Sequence, residues 1–177
     1  MEIKVLGAAK EVGRSGFQVN CGGTNFLLDY GVMFGKPRGA PPSYPLLVKS
    51  KDIDSAIITH AHLDHSGNIP SLFVNGNCHI YATPPTFELS RLLIEDMLKI
   101  EKNAHPFDIP EVNSMMRYGK EIGYKEKVTR GNASFEFRSS GHVLGGSTVL
   151  LEHQKKKLFY TGAVSYTHLT LPTILLV

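Results

Sequence analysis

Short apolar runs of β type fill the first half of the chain: Ile3 to Leu6, Phe17 to Asn20, Asn25 to Asp29, Ser55 to Thr59 and His79 to Ala82, each bounded by Gly, Asn, Asp or Pro. Cys21, Gly22, Gly23 and Thr24, between the second and third runs, read as a hairpin turn, because glycine accepts backbone angles that side chains resist. The chain is therefore expected to open as an antiparallel sheet. From Pro84 to Asn103 the period lengthens. Leu89, Leu93, Met97 and Ile100 fall on one helical face, and Arg91, Glu95 and Lys99 on another at spacings that permit ion pairs. Thr83 is placed to cap this helix, with Pro84 or Pro85 in its first turn. A second helix is expected from near Pro110 to Tyr118, behind Asp108 as its cap. Strand patterning returns at Ser134 to Arg138, Thr148 to Glu152 and Leu158 to Thr161, the last two joined by a turn through Gln154 and Lys155. Lys36 to Pro45 fits neither period, and Gly- and Pro-rich loops of this kind often border a site.

With 177 residues, 42% of them hydrophobic, the chain can bury the core of one domain but not of two. A formal charge of +3 demands neither a nucleic acid nor a membrane, so any RNA substrate must be argued from the site. Lys155, Lys156 and Lys157 read as a solvated turn. Cys21 and Cys78 are too few for a disulfide framework, which fits a reducing, cytoplasmic compartment. The start lacks a basic leader with an apolar core, and no long apolar run follows, so a soluble, unexported protein is expected, with no membrane partner.

The candidate chemistry lies in Thr59-His60-Ala61-His62-Leu63-Asp64-His65-Ser66-Gly67, which puts three imidazoles and a carboxylate in six positions after an apolar strand. These side chains should stand in the turn at the carboxyl end of that strand. His60 and His62 can point the same way if locally extended, while Asp64 and His65 turn towards a neighbouring point. Neutral imidazole and carboxylate suit zinc, and two adjacent ions are plausible. His79, His105 and His153 read as structural.

The pattern His-x-His-x-Asp-His after an apolar strand resembles the signature of the metallo-β-lactamase superfamily, and residues 1–162 resemble the amino-terminal half of its domain. The resemblance implies an α/β fold, the αββα sandwich, with the site along one edge of its two sheets. Asp29, followed by Tyr30 and Gly31, matches the first motif, in which an Asp orients the metal site without binding metal. Gly141-His142-Val143-Leu144-Gly145-Gly146-Ser147 resembles the third motif. It is closer to the β-CASP nucleases, such as ribonuclease J and the cleavage and polyadenylation factors, than to lactamases, and the stretch from Gly7 to Phe17 is also similar to the archaeal members. The resemblance implies that His60, His62 and His142 hold one zinc and that Asp64 and His65 hold a second, with Asp64 also assisting proton transfer as a catalytic group. The implied function is metal-dependent hydrolysis of RNA phosphodiesters by in-line attack. RNA is the implied partner, and a homodimer is admissible.

The resemblance fails at one position. After Leu158-Phe159-Tyr160-Thr161-Gly162 the family places an Asp that bridges both metals, and Ala163 stands there. Val164 to Thr173 resembles the translation of a transposase-type sequencing adapter. Asp and Ala codons share a first base, so residues 163–177 are expected to be a non-native tail joined within that codon, and His168 is then no ligand; the competing reading is that residues 164–177 form a genuine final strand, since Ile174 to Val177 is strand-like. The resemblance implies a β-CASP domain and a second half of the sandwich that these 177 residues are not expected to contain, so impaired activity is expected. Two rival readings are a hydrolase of the same fold acting on a thioester or lactone, and a non-catalytic subunit of an RNA-processing complex.

Overall fold

The computed structural model describes residues 1–35, 37 and 40–163. Three strands, β1 (Glu2–Gly7), β2 (Gly16–Cys21) and β3 (Thr24–Tyr30), open the fold in antiparallel pairing, as their patterning predicts. Gly22 (φ 61°) and Gly23 (φ 93°) supply the two left-handed residues that a tight β2–β3 turn requires. Three parallel additions follow: β4 (Ser55–Ile57), β5 (His79–Ala82) and β6 (Gly119–Glu121). The result is a six-stranded sheet in the order β1-β2-β3-β4-β5-β6. A second, antiparallel sheet contains β7 (Lys127–Arg130), β8 (Ala133–Ser139), β9 (Ser147–His153) and β10 (Lys156–Tyr160) in the order β10-β9-β8-β7. Patterning does not reveal β6 and β7, because Gly-Lys-Glu carries no apolar residue and Lys-Val-Thr-Arg only one.

Among the described residues there are three α-helices: α1 (Leu63–Ser66), α2 (Pro84–Ile100) and α3 (Ile109–Tyr118). Thr83 Oγ1 accepts from the Thr86 backbone N–H at the start of α2, and Asp108 and Glu111 form a capping box at the start of α3. The buried face of α2 differs from the one its large aliphatic residues suggest. Phe87, Ser90, Ile94 and Met97 are buried, whereas Leu89 and Leu93 are only half-buried and Ile100 is 79% exposed. Small Thr86 and Ser90 let the helix approach the sheet, so the contact stripe runs through them and not through the leucines. The helix also stops at Ile100, short of Asn103, whose φ of 60° is left-handed. Among the described residues its ion pairs are Arg91 with Glu88 and Lys99 with Asp96, and Glu95 is not a partner.

Leu27 and Leu28 show how one strand serves two cores, since adjacent strand residues face opposite ways. Leu28 joins Phe26, Ile57 and Tyr81 against Phe135, Phe137, Val149 and Leu151 between the sheets. Leu27 joins Ala56, Ile58 and Ile80 beneath Phe87, Ile94, Val112 and Met115 of α2 and α3. The chain is thus an α/β fold with a helical layer and two sheets, three of the four layers of an αββα sandwich. Among the described residues, no helix covers the outer face of the second sheet, and none is long and apolar enough to cross a membrane. Cys21 and Cys78 are buried and free. Lys156 and Lys157 lie in β10, exposed, with Lys157 Nζ 2.7 Å from Glu152. The tail expected to be non-native, including His168, lies outside the described residues apart from Ala163.

Candidate metal centre

Beyond β4 the chain stays extended for one more bond to the sheet, Ile58 N–H to Tyr81 O at 2.9 Å, and then leaves it at the two buried residues Thr59 and His60. Helix α1 begins directly after His62, and Ser66 Oγ closes the turn by donating to Ala61 O at 2.8 Å. This short turn presents His60, His62, Asp64 and His65 at the sheet's edge. His142 arrives from the other sheet on the loop between β8 and β9. Left-handed Gly141 (φ 67°) and Gly145 (φ 77°) shape that loop. Thr83 and Thr86, at the start of α2, both donate to Gly145 O, at 2.7 and 3.0 Å, and Ser147 N–H donates to Thr59 O. The Gly-rich loop is therefore fastened to both the helix and the histidine turn.

One nitrogen from each of His60, His62 and His142 lies within 4.8 Å of the other two. His142 Nε2 stands 3.4 Å from His62 Nδ1, close to the edge of about 3.3 Å that zinc–nitrogen bonds of about 2.05 Å would give in a tetrahedron. His60 Nε2 is buried and has no hydrogen-bond partner among the described residues. A buried acceptor left unsatisfied is costly, and a cation among three imidazoles would relieve it, so the donor set fits a metal ion such as zinc.

Asp29 governs the ring orientations. It is fully buried at the end of β3 with φ 55°, a left-handed conformation that Asp tolerates better than most side chains. Its Oδ1 accepts the Thr59 backbone N–H, and its Oδ2 accepts Thr59 Oγ1, His65 Nδ1 and Tyr160 Oη, all at 2.8 Å. Thr59 Oγ1, having given its proton to Asp29, accepts from His60 Nδ1 at 3.0 Å. This relay places the His60 proton on Nδ1 and leaves Nε2 bare. Burial pushes the His60 pKa down to about 3, with His65, His62 and His142 adding to the effect and Asp29 opposing it. Burial also disfavours protonated His65, but the Asp29 charge and hydrogen bond, with Asp64, outweigh it and raise the pKa. For Asp29, burial is likewise outweighed by His65, His60 and Thr59, and its pKa is lowered. Burial, then His62 and His65, lower the pKa of His142.

Asp64 is 39% exposed at the rim, with Oδ2 3.7 Å from His65 Nε2, and the His60 and His65 rings are 4.2 Å apart. All the site residues singled out in the sequence thus come to one sheet edge. Of the other histidines, His153 Nδ1 bonds Asn132 O and His105 Nδ1 faces Tyr44 Oη at 2.8 Å, while His79 sits at the start of β5, at the opposite end of the sheet. The described part of the 36–45 loop is tied to the segment between α2 and α3 through Tyr44, whose hydroxyl meets Ala104 O and His105 Nδ1. Sequence reasoning missed Thr59 and Tyr160 as site residues. The available signal for Tyr160 was a phenol alternating with Leu158 on the inward face of its strand, since a Tyr so placed must find a partner for its hydroxyl.

Residues 19–170 match the metallo-beta-lactamase superfamily domain. A protein of Methanocaldococcus jannaschii named Probable RNase MJ4 is 37% identical over 170 residues, which cover 93% of this chain and 39% of that protein. RNase aCSPSF2 of Saccharolobus solfataricus is 30% identical over 166 residues, covering 93% of this chain and 33% of that protein. The chain therefore spans about a third of the length of these relatives. Among solved structures, a metallo-β-lactamase of Cronobacter sakazakii superposes with a TM-score of 0.62 at 16% identity, covering 92% of this chain and 60% of that one. That likeness is one of fold.

Proposed function

From the premise that the chain belongs to the metallo-β-lactamase superfamily, we propose that it is the metal-holding part of a ribonuclease, a metal-dependent RNA phosphodiester hydrolase of the β-CASP kind. The observation that carries the reading is the bare, buried Nε2 of His60 in a ring that offers one nitrogen within 4.8 Å of a nitrogen of each of His62 and His142. Those three imidazoles would hold one zinc ion, and Asp64 with His65 would contribute to a second. Bound zinc supplies Lewis acidity towards a phosphoryl oxygen and brings the pKa of water down to about 7, so that a nucleophile exists at neutral pH. The protein's own contribution is orientation and proton management. Thr59 and Asp29 fix the proton of His60 on Nδ1, and Asp29 does the same for His65. Asp64, exposed at the rim, is placed to take a proton from water or return one to a leaving oxygen. Relatives named as ribonucleases support RNA as the substrate. The family resemblance implies a carboxylate at position 163, where Ala offers no oxygen.

Zinc titration of the purified chain, with a labelled RNA assayed alongside, tests the reading. One zinc bound firmly, a second weakly, and RNA cleavage far below that of a relative with Asp at the matching position are expected. Hydrolysis of a thioester or lactone without RNA cleavage would replace the substrate class. Nuclease activity equal to a full-length relative would sink the assignment of impairment to Ala163.

A further inference from the structure

We propose that Tyr160 is a positioning residue for the metal centre, its hydroxyl steadying Asp29 and, through Asp29, the His60 and His65 rings. The inference rests on the metal-site reading above and names a side chain outside the histidine cluster. Tyr160 closes β10 in the second sheet, whereas Asp29 is the last residue but one of β3 in the first, so the 2.8 Å bond from Tyr160 Oη to Asp29 Oδ2 ties the sheets together at the site. Oδ2 takes three donors, from Thr59, His65 and Tyr160. Of the three, Thr59 and His65 belong to the histidine turn and move with it. Among the described donors, Tyr160 is the one that ties the carboxylate directly to the opposite sheet.

Two further contacts make that anchor rigid. The Tyr160 ring packs on Phe17 of β2 at 5.4 Å between centroids, which aims the phenol inward. Two residues later Gly162, with a left-handed φ of 56°, lies so close to Thr59 that an added Cβ would come within 2.7 Å of Thr59 Oγ1. The end of β10 thus touches both members of the Thr59–Asp29 pair. Burial and the neighbouring Asp29 carboxylate raise the phenol pKa, so the hydroxyl keeps its proton and always donates. Without it, the donors left to Asp29 among the described residues come from the turn it is supposed to orient, and its link to the second sheet becomes indirect, through Ser147 on Thr59 O. Ligand rings held less firmly bind metal less tightly, and loss of such supporting hydrogen bonds typically weakens affinity about 10- to 100-fold.

Tyr160→Phe removes the hydroxyl and keeps the ring on Phe17, while Phe17→Leu removes the ring partner and keeps the hydroxyl. Zinc affinity is read by competition with a chromophoric chelator, and the tautomers of His60 and His65 by nitrogen-15 NMR of the metal-free chain. Tyr160→Phe is expected to weaken zinc binding about 10-fold or more and to broaden or shift the His65 Nδ1–H signal. Phe17→Leu is expected to lower the unfolding midpoint while leaving affinity within about twofold of the parent. Unchanged affinity in Tyr160→Phe, or equal weakening in both variants, would overturn the proposal and reduce Tyr160 to a packing residue. If the parent binds no zinc, the metal-site reading fails, and the NMR comparison still decides the positioning role: an unaltered His65 signal in Tyr160→Phe overturns it. Should Tyr160→Phe not fold, a nuclear Overhauser contact between the Tyr160 hydroxyl proton and His65 Hδ1 in the parent carries the test, and its absence counts against the proposal.

Discussion

Asp29 concentrates the site's electrostatics in a single fully buried carboxylate, and its neighbours set the pH response of the metal-free protein. His60, with a folded pKa of about 3, stays neutral in the native state while the unfolded chain binds a proton near 6.5. The unfolded state therefore holds more protons between those values, and stability must fall as pH drops through that window. The lowered pKa of His142 acts in the same direction, and Asp29 adds a contribution that disappears only when pH falls through its own depressed value. His65 opposes them. Its raised pKa gives stability that is complete below its ordinary value and is lost as pH rises through the folded one. Since the His60 shift is large, the sum should favour loss: His60 alone contributes a loss on the order of 3 kcal/mol between pH 6.5 and 4, part of which His65 offsets, and chelator-treated protein is expected to lose stability over that range. Urea unfolding across that range checks it, and stability that is flat or rising on acidification would refute it. His60→Gln should remove most of the dependence. At this scale the histidine turn is legible because its members crowd six consecutive positions after a strand, whereas the Asp29–Tyr160 contact joins residues 131 apart in sequence and nothing local encodes it.

The elements bring the site together through close backbone contacts. Where β3 ends, Gly31 N–H donates to Ser15 O, Ser15 N–H donates to Asp64 O, and Val32 N–H donates to Leu63 O, all within 2.9 Å. This knits the strand exit to the first turn of α1, and an added Cβ at Gly31 would collide with the Asp64 backbone. Gly31→Ala must therefore displace α1 or the strand, at a cost on the order of 3 kcal/mol, and should impair zinc capture along with stability. Isothermal titration together with thermal unfolding checks this, and a variant with parental stability and affinity would show that the approach is not required. Element boundaries are read well from the sequence where alternation is strong, as in β2, β3, β8 and β9, and at capped helix starts such as Thr83 and Asp108. They are read poorly where three-residue β6 or charged β7 pairs only because a neighbour is already in place. On α2 the aliphatic periodicity misleads for a related reason: what faces the sheet is decided by how closely Thr86 and Ser90 let the helix dock, a property of both surfaces.

At the scale of the whole molecule, the second sheet does more than complete a core. Its loop delivers His142, its last strand holds Asp29, and position 163 follows Gly162, which packs on Thr59. A side chain at 163 therefore begins one residue from the network that orients His60 and His65. Carboxylates suit the hard side of zinc coordination, and a ligand supplied by a docked strand end loses less conformational freedom than one on a free loop. Ala163→Asp is accordingly expected to raise zinc bound at saturation from one towards two per chain, and to tighten the weaker site about 10-fold or more. A metal that binds only the folded state stabilises it by about 2.7 kcal/mol at a free concentration 100 times Kd, so the variant should also gain more on zinc addition than the parent. Mass spectrometry under native conditions counts the ions, and thermal unfolding with and without zinc reads the gain. If Ala163→Asp leaves both unchanged, position 163 does not face the metal centre, and the missing bridge cannot be the reason for weak second-metal binding. If it raises stoichiometry without raising RNA cleavage, the limit on activity lies instead in the two thirds of the relatives' length that this chain does not span.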